Sequence, residues 1–137
     1  MKSFYLIFLS FISFSIVFGQ NGKVIDELII NSKILKGDRK FAVYLPPDYD
    51  SSNRSYPVLY LLHGLGDNQS AWIQFGEVLH TTDKAINSGI ATSMIIIMPD
   101  AGTGQMGYTN AISGKWNYED FFFEEFMPHV ENLYRIR

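Results

Sequence analysis

Hydrophobic positions along the chain fall into three kinds of pattern. Val58 to Leu62 and Ser93 to Met98 (Ser-Met-Ile-Ile-Ile-Met) are apolar runs without alternation. That is the pattern of strands buried on both faces in the middle of a parallel sheet. Val24 to Ile30 is rich in Val and Ile, and Lys40 to Leu45 alternates polar and apolar before Pro46-Pro47. With Lys36-Gly37-Asp38 as turn residues between them, these two predict an antiparallel hairpin at a sheet edge. Helical spacing occurs twice. Val78, Leu79, Thr82, Ala85 and Ile86 share one face, closed by Gly89 where a left-handed cap would fall. Phe122, Phe126, Val130 and Leu133 form the second stripe.

Strand, helix, strand with both strands apolar predicts a crossover unit in a parallel sheet. Asn68 and Ser70 are cap types for a short helical turn through Trp72, and Asn117 can cap the last helix, with Asp120 three residues on. Pro128 removes one hydrogen bond inside that helix and marks where it can kink. Between the second apolar strand and the last helix, Ala101 to Gly114 is a long loop with Gly102, Gly104, Gly107 and Gly114. It leaves the carboxyl end of its strand, the side on which open α/β sheets bind ligands.

The first apolar run stops at His63-Gly64-Leu65-Gly66. Two glycines around one residue let the backbone turn sharply and leave its N–H groups outside the sheet ladder. Fixed N–H donors at the carboxyl end of a strand are what acyl transfer needs to stabilise a developing oxyanion. The same residues also suit a plain strand-to-helix turn.

Composition narrows the classes. Of 137 residues, 47% are hydrophobic and 18% charged, which is globular rather than disordered. The net charge of -3 leaves no basic footprint for nucleic acid. Cysteine is absent, which excludes disulfides, thiolate metal sites, a thiol nucleophile and a lipobox anchor. The N-terminus reads as a secretion signal: Lys2 is the charged region, Phe4 to Phe18 the apolar one, and Val17-Phe18-Gly19 the cleavage region. That divides the chain into a leader, 1–19, and a mature portion, 20–137. The apolar stretch is short of the roughly 20 residues a membrane-spanning helix needs. Secreted or periplasmic localisation is therefore expected, with no membrane contact after removal of the leader.

Taken together, the motifs amount to a signature. From Phe41 to Tyr134 the chain resembles the esterase D and feruloyl esterase-like branch of the α/β-hydrolase superfamily. The matching pieces are Val43-Tyr44-Leu45-Pro46-Pro47-x-Tyr49 and Tyr56-Pro57-Val58-Leu59-Tyr60-Leu61-Leu62-His63-Gly64-Leu65-Gly66 with Trp72. Met98-Pro99-Asp100 and Tyr118-Glu119-Asp120-Phe121, running into Glu125-x-x-Pro128, complete the series. The resemblance implies the N-terminal part of an α/β-hydrolase fold: an edge antiparallel hairpin, then parallel strands with crossover helices. In that fold a fifth strand and a Gly-x-Ser-x-Gly elbow come next, followed by the acid and the histidine. No Gly-x-Ser-x-Gly occurs in these residues, and Ala111-Ile112-Ser113-Gly114 lacks the first glycine. The expectation is a fragment lying ahead of its nucleophile, inactive by itself, with a strand and the elbow encoded within roughly 30 further residues. Such a piece would present an unpaired apolar edge prone to association.

The resemblance assigns Leu65, through its backbone N–H, one oxyanion-hole donor, on a loop that includes Gly64; the Leu65 side chain could equally pack under the turn. His63, directly before the turn, is a candidate substrate contact; a catalytic role is set behind that of a hydrogen-bonding support of the loop. Trp72, Tyr108 and Trp116 are candidates for an aromatic substrate rim, and both tryptophans also suit the core. Asp100 is a candidate substrate contact or a turn former. His80 with Asp83, and Glu125 with His129, lack a third ligand at a convincing spacing, so neither metal nor cofactor is expected. The expected activity is that of a serine carboxylesterase on small-molecule or polysaccharide esters, acetyl or feruloyl among them. A non-catalytic secreted domain that holds carbohydrate on the same loop is the alternative.

Overall fold

In a computed structural model, the structure describes residues 21–102 and 107–137. The expected leader and Gly104 of the long loop lie outside the described residues. Four strands, β1 (Lys23–Ser32), β2 (Gly37–Leu45), β3 (Val58–Tyr60) and β4 (Ile95–Pro99), make one sheet in the order β1-β2-β4-β3. β1 and β2 form the expected antiparallel hairpin at one edge, β2 runs antiparallel to β4, and β3 runs parallel to β4.

Alternation along the central strands divides the core in two. Phe41, Val43, Leu45, Ile95 and Ile97 face a cluster that also holds Trp116, Tyr118, Phe121, Phe126 and Val130. Ala42, Tyr44, Ile96 and Met98 face Val78, with Trp72, Ile73 and Ile86 packed around them. The last helical segment therefore covers one face. The short helices α1 (Ala71–Gln74) and α2 (Val78–Asn87) cover the other. Gly89 sits at φ +74°, just past the Ser88 cap, as its position predicts.

Four expectations need correction. β3 spans three residues and is an edge of the described sheet, with Leu59 43% exposed, not a strand buried on both faces. Among the described residues β4 is its one strand partner, so the apolar run has cover on one side only. On α2, Asp83 is buried and Leu79 is exposed. Asp83 can face inward because the Tyr44 hydroxyl donates to it at 2.7 Å and the Gly22 N–H at 3.0 Å.

The third concerns the caps. Neither Ser70 nor Asn117 makes a side-chain cap bond. Instead Asn110 Oδ1 accepts the Asp120 N–H at 3.2 Å, while its amide donates to the Asp120 carboxylate at 2.7 Å. The fourth is the apolar stripe. α3 (Tyr118–Asp120) runs into a π-helical stretch, Phe121–Phe126, and then α4 (Met127–Leu133). Pro128 has no N–H for the Glu124 carbonyl and its ring crowds that carbonyl. Widening the preceding turn, with Met127 N–H donating to the Phe122 carbonyl, accommodates it. The inward positions become Tyr118, Phe121, Phe126 and Val130, and Leu133 is exposed.

Candidate active site

The glycine turn follows directly from the end of β3. Leu61 N–H still donates to the Ile97 carbonyl at 2.8 Å, extending the parallel ladder one step past the strand. The chain then folds back on itself: Asp67 N–H donates to the Gly64 carbonyl at 3.2 Å, with Gly66 at φ +86°. A positive φ at the third position of a four-residue turn is the type II arrangement, which only glycine adopts without strain. Among the described residues, no acceptor meets the N–H of Gly64, Leu65 or Gly66. The Leu65 side chain is 95% exposed, so it does not pack under the turn.

His63 fixes the turn from below. Its Nε2 accepts the Ala101 N–H at 3.0 Å, and Nδ1 lies 2.8 Å from the Gly64 carbonyl. An acceptor at Nε2 and a carbonyl facing Nδ1 require the neutral tautomer with its proton on Nδ1. Both ring nitrogens are thus committed to holding backbone. Asp100 Oδ1 lies 3.5 Å from Nε2, but two acceptors do not bond. Asp100 accepts the Gly102 N–H at 2.9 Å instead, closing its own turn.

Tyr108 locks His63 from the other side. Its hydroxyl accepts the His63 N–H at 2.8 Å and donates to the His63 carbonyl at 3.1 Å. Burial pushes the Tyr108 hydroxyl up to about 12, against the smaller opposing effect of its bond to the His63 backbone, so it stays a neutral donor at physiological pH. Tyr118 donates to the Asp100 carbonyl at 3.1 Å, and burial pushes its hydroxyl higher still.

The structure therefore brings His63, Gly64, Leu65 and Tyr108 together around a cleft of about 170 Å³, whose floor includes Ala101 and Gly102. Asp100 stands behind that floor. Trp72 lies across the turn, lining a second depression of about 350 Å³ with Phe75 and Gly76. Its indole N–H donates to the Leu62 carbonyl at 2.9 Å, pinning the strand end. Gly76 is required there, because a Cβ would sit 2.6 Å from the Trp72 ring. Trp116 is placed elsewhere: 8% exposed, stacked on Tyr118 at 5.8 Å, beneath the Arg39 guanidinium. It reaches the cleft only through its N–H, which donates to the Gly107 carbonyl at 2.7 Å.

Sequence reasoning passed over Phe75, 77% exposed beside the turn. It also passed over Tyr118 as the support of Asp100, although Tyr118 heads one of the motif pieces. Asp83 and Glu125, considered for a metal, are both engaged by protein donors.

Comparison with known proteins fits this geometry. Residues 32–137 match a family model described as "Putative esterase". An esterase of Mycobacterium tuberculosis is 38% identical over 96 residues, which are 68% of this chain and 20% of that protein. A solved ferulic acid esterase superposes with a TM-score of 0.78 at 36% identity, covering 85% of this chain and 46% of that one. A ferulic acid esterase from Anaeromyces mucronatus, solved with ferulic acid, gives a TM-score of 0.65 at 30% identity, covering 85% and 44%. This chain thus spans less than half the length of these relatives, and its architecture is that of α/β-hydrolase esterases over the shared part.

Proposed function

The chain belongs to the esterase family that its residues 32–137 match, and on that premise we propose that it carries the oxyanion side of a secreted serine carboxylesterase. The substrates on this reading are acyl esters of extracellular polysaccharide, feruloyl or acetyl. A serine hydroxyl attacks the ester carbonyl, and the carbonyl oxygen takes up the negative charge. The alcohol leaves, and water then releases the acid from the acyl-serine. The Leu65 N–H supplies one hydrogen bond to that oxygen, with Gly64 allowing the close approach. No Gly-x-Ser-x-Gly lies within the 137 residues, so on this reading the nucleophile, its acid and its histidine come from sequence outside them.

One observation carries the reading. The glycine turn has N–H groups that meet no acceptor among the described residues, and the two sides of its base are fixed by His63 and Tyr108. The feruloyl preference rests on the named activity of the similar proteins and on the aromatic side of the turn, half-buried Trp72 and exposed Phe75.

The test has two arms. The 137-residue chain alone is expected to show no saturable hydrolysis of p-nitrophenyl acetate, and saturable turnover would overturn the placement of the nucleophile. The reading frame that encodes this chain is expected to encode Gly-x-Ser-x-Gly within roughly 30 residues after Arg137, and the product carrying both is expected to hydrolyse methyl ferulate. A frame without that serine would favour the carbohydrate-binding alternative, for which the exposed Phe75 beside Trp72 is the supporting feature.

A further inference from the structure

The edge strand β1 contains an irregularity that the hairpin itself does not need. Its register with β2 shifts between Ile25 and Leu28, and Glu27 sits at φ +59°. A non-glycine residue in that left-handed region is strained, and such strain persists only where surrounding contacts hold it. Bulges commonly re-aim side chains next to active sites.

This one re-aims two carboxylates. Asp26 Oδ2 accepts the Ser70 hydroxyl at 2.6 Å, and Asp26 Oδ1 accepts the Glu27 N–H at 2.7 Å. Gln69 Nε2 donates to Glu27 Oε1 at 2.8 Å and lies 3.4 Å from Asp26 Oδ1. The Lys40 ammonium pairs with Glu27 on the other side. Gln69 and Ser70 are 3% and 6% exposed, unusual for residues between a turn and a short helix. Their burial is tolerable because each meets a charged acceptor, and such bonds are roughly twice as strong as neutral ones.

We propose that the β1 bulge is a positioning device for the glycine turn, with Asp26 and Glu27 as positioning residues; the proposal rests on the reading that this turn's amides receive the acyl oxygen. His63 anchors the turn at its start, through Ala101 and Tyr108. Ser70, five positions after Leu65, anchors it at its end through Asp26. Between these anchors the segment belongs to no strand or helix, so its two fixed ends set where the Leu65 N–H points. In a reacting site a misplacement of about 1 Å can cost roughly 10²-fold in rate, which makes a clamp of this kind consequential.

The test is backbone ¹⁵N relaxation of the 137-residue chain and its Asp26→Ala, Asp26→Asn and Ser70→Ala variants. In Asp26→Ala the order parameters at Leu65 and Gly66 are expected to fall from about 0.85 towards 0.6 or lower. Asn keeps a carbonyl oxygen for the Ser70 hydroxyl, so Asp26→Asn is expected to restore them, while the amides of β2 and β4 do not change in any variant. Should Asp26→Ala fail to fold, Ser70→Ala, which removes one hydroxyl, is expected to loosen the same two amides. Unchanged order parameters at Leu65 and Gly66 in Ser70→Ala or Asp26→Ala would overturn the proposal. No step of this measurement uses hydrolysis. A loosened turn in a protein without esterase activity would therefore refute the esterase reading and leave the clamp, and a rigid turn in an active esterase would do the reverse.

Discussion

Two turns in this molecule present backbone N–H groups in a row, and the chain treats them in opposite ways. At the hairpin, the Glu125 carboxylate accepts the Ser32 hydroxyl at 2.5 Å, the Lys33 N–H at 3.0 Å and the Ile34 N–H at 3.3 Å. The Ser32 hydroxyl oxygen in turn accepts the Leu35 N–H at 2.9 Å. At the glycine turn, Leu65 and Gly66 have no such acceptor among the described residues. The first turn is a completed anion site whose anion is the protein's own side chain. The second has the same kind of donors, on a base held by His63 and Tyr108, in residues that line the cleft. The difference lies in one residue: a helix brings Glu125 to the hairpin, and no described residue accepts the Leu65 N–H. An acyl-transfer site needs this, because a donor already satisfied by the protein has nothing left for a developing oxyanion.

The contrast can be broken at several places. Phe126→Ala should have the largest effect. Phe126 is fully buried, packs edge-on to Phe41 at 5.4 Å, and follows Glu125 in the π-helical stretch that aims the carboxylate. A loss of about 3–5 kcal/mol in denaturant unfolding is expected, with the hairpin turn loosened as well. Glu125→Ala comes next, at about 1.5–3 kcal/mol, since buried Ser32 and two N–H groups lose a charged acceptor. Its sharper readout is hydrogen exchange: the Lys33 and Ile34 amides, bonded to Glu125 in the native chain, should exchange as fast as that of Leu65 once the carboxylate is gone.

Gly66→Ala should cost about 1–2 kcal/mol through the backbone alone, because a Cβ there meets nothing within 4 Å. Its measurable sign is altered Leu65 and Asp67 amide shifts with the hairpin unaffected. The smallest effect at neutral pH is the alkaline one. Tyr108 and Tyr60 are raised to about 12 mainly by burial, above the roughly 10 of an unfolded tyrosine. The unfolded chain releases these protons first, so this contribution is complete below pH 10 and lost progressively as pH rises through about 12. Urea midpoints measured from pH 9 to 12 should fall over that window, and less steeply in Tyr108→Phe.

Much of this was legible in the sequence. The unbroken run before Pro99 placed β4, because that strand is covered on both faces and its pattern reports it; the expected alternation of Lys40–Leu45 located β2 but not its burial, since Phe41 to Leu45 are all buried. His63-Gly64-Leu65-Gly66 placed the turn, since left-handed backbone needs glycine. What was not legible came from contacts between distant segments. Nothing near Asp26 announces a bulge: the strained residue is Glu27, not a glycine, and its partners Gln69 and Ser70 lie more than 40 positions away. The stripe on the last helix was read at a period of 3.6, and the π-helical insertion ahead of Pro128 moved Phe121 inward in place of Phe122. β3 reads as a central strand because its apolar run answers to cover on both sides, while the described sheet supplies β4 alone. Trp116 could not be separated from a rim residue by type. Its stacking on Tyr118 decides that it is buried.

The most direct test of the oxyanion assignment is Leu65→Pro in the gene product that contains both this chain and a Gly-x-Ser-x-Gly serine. Proline suits the second position of a type II turn and deletes the N–H together with the exposed Leu65 side chain, whose loss alone is measured in Leu65→Ala. The account predicts a 10²–10³-fold fall in kcat on methyl ferulate, with the unfolding midpoint close to that of the unaltered protein. Turnover within a few-fold of the unaltered protein, at equal stability, would contradict it.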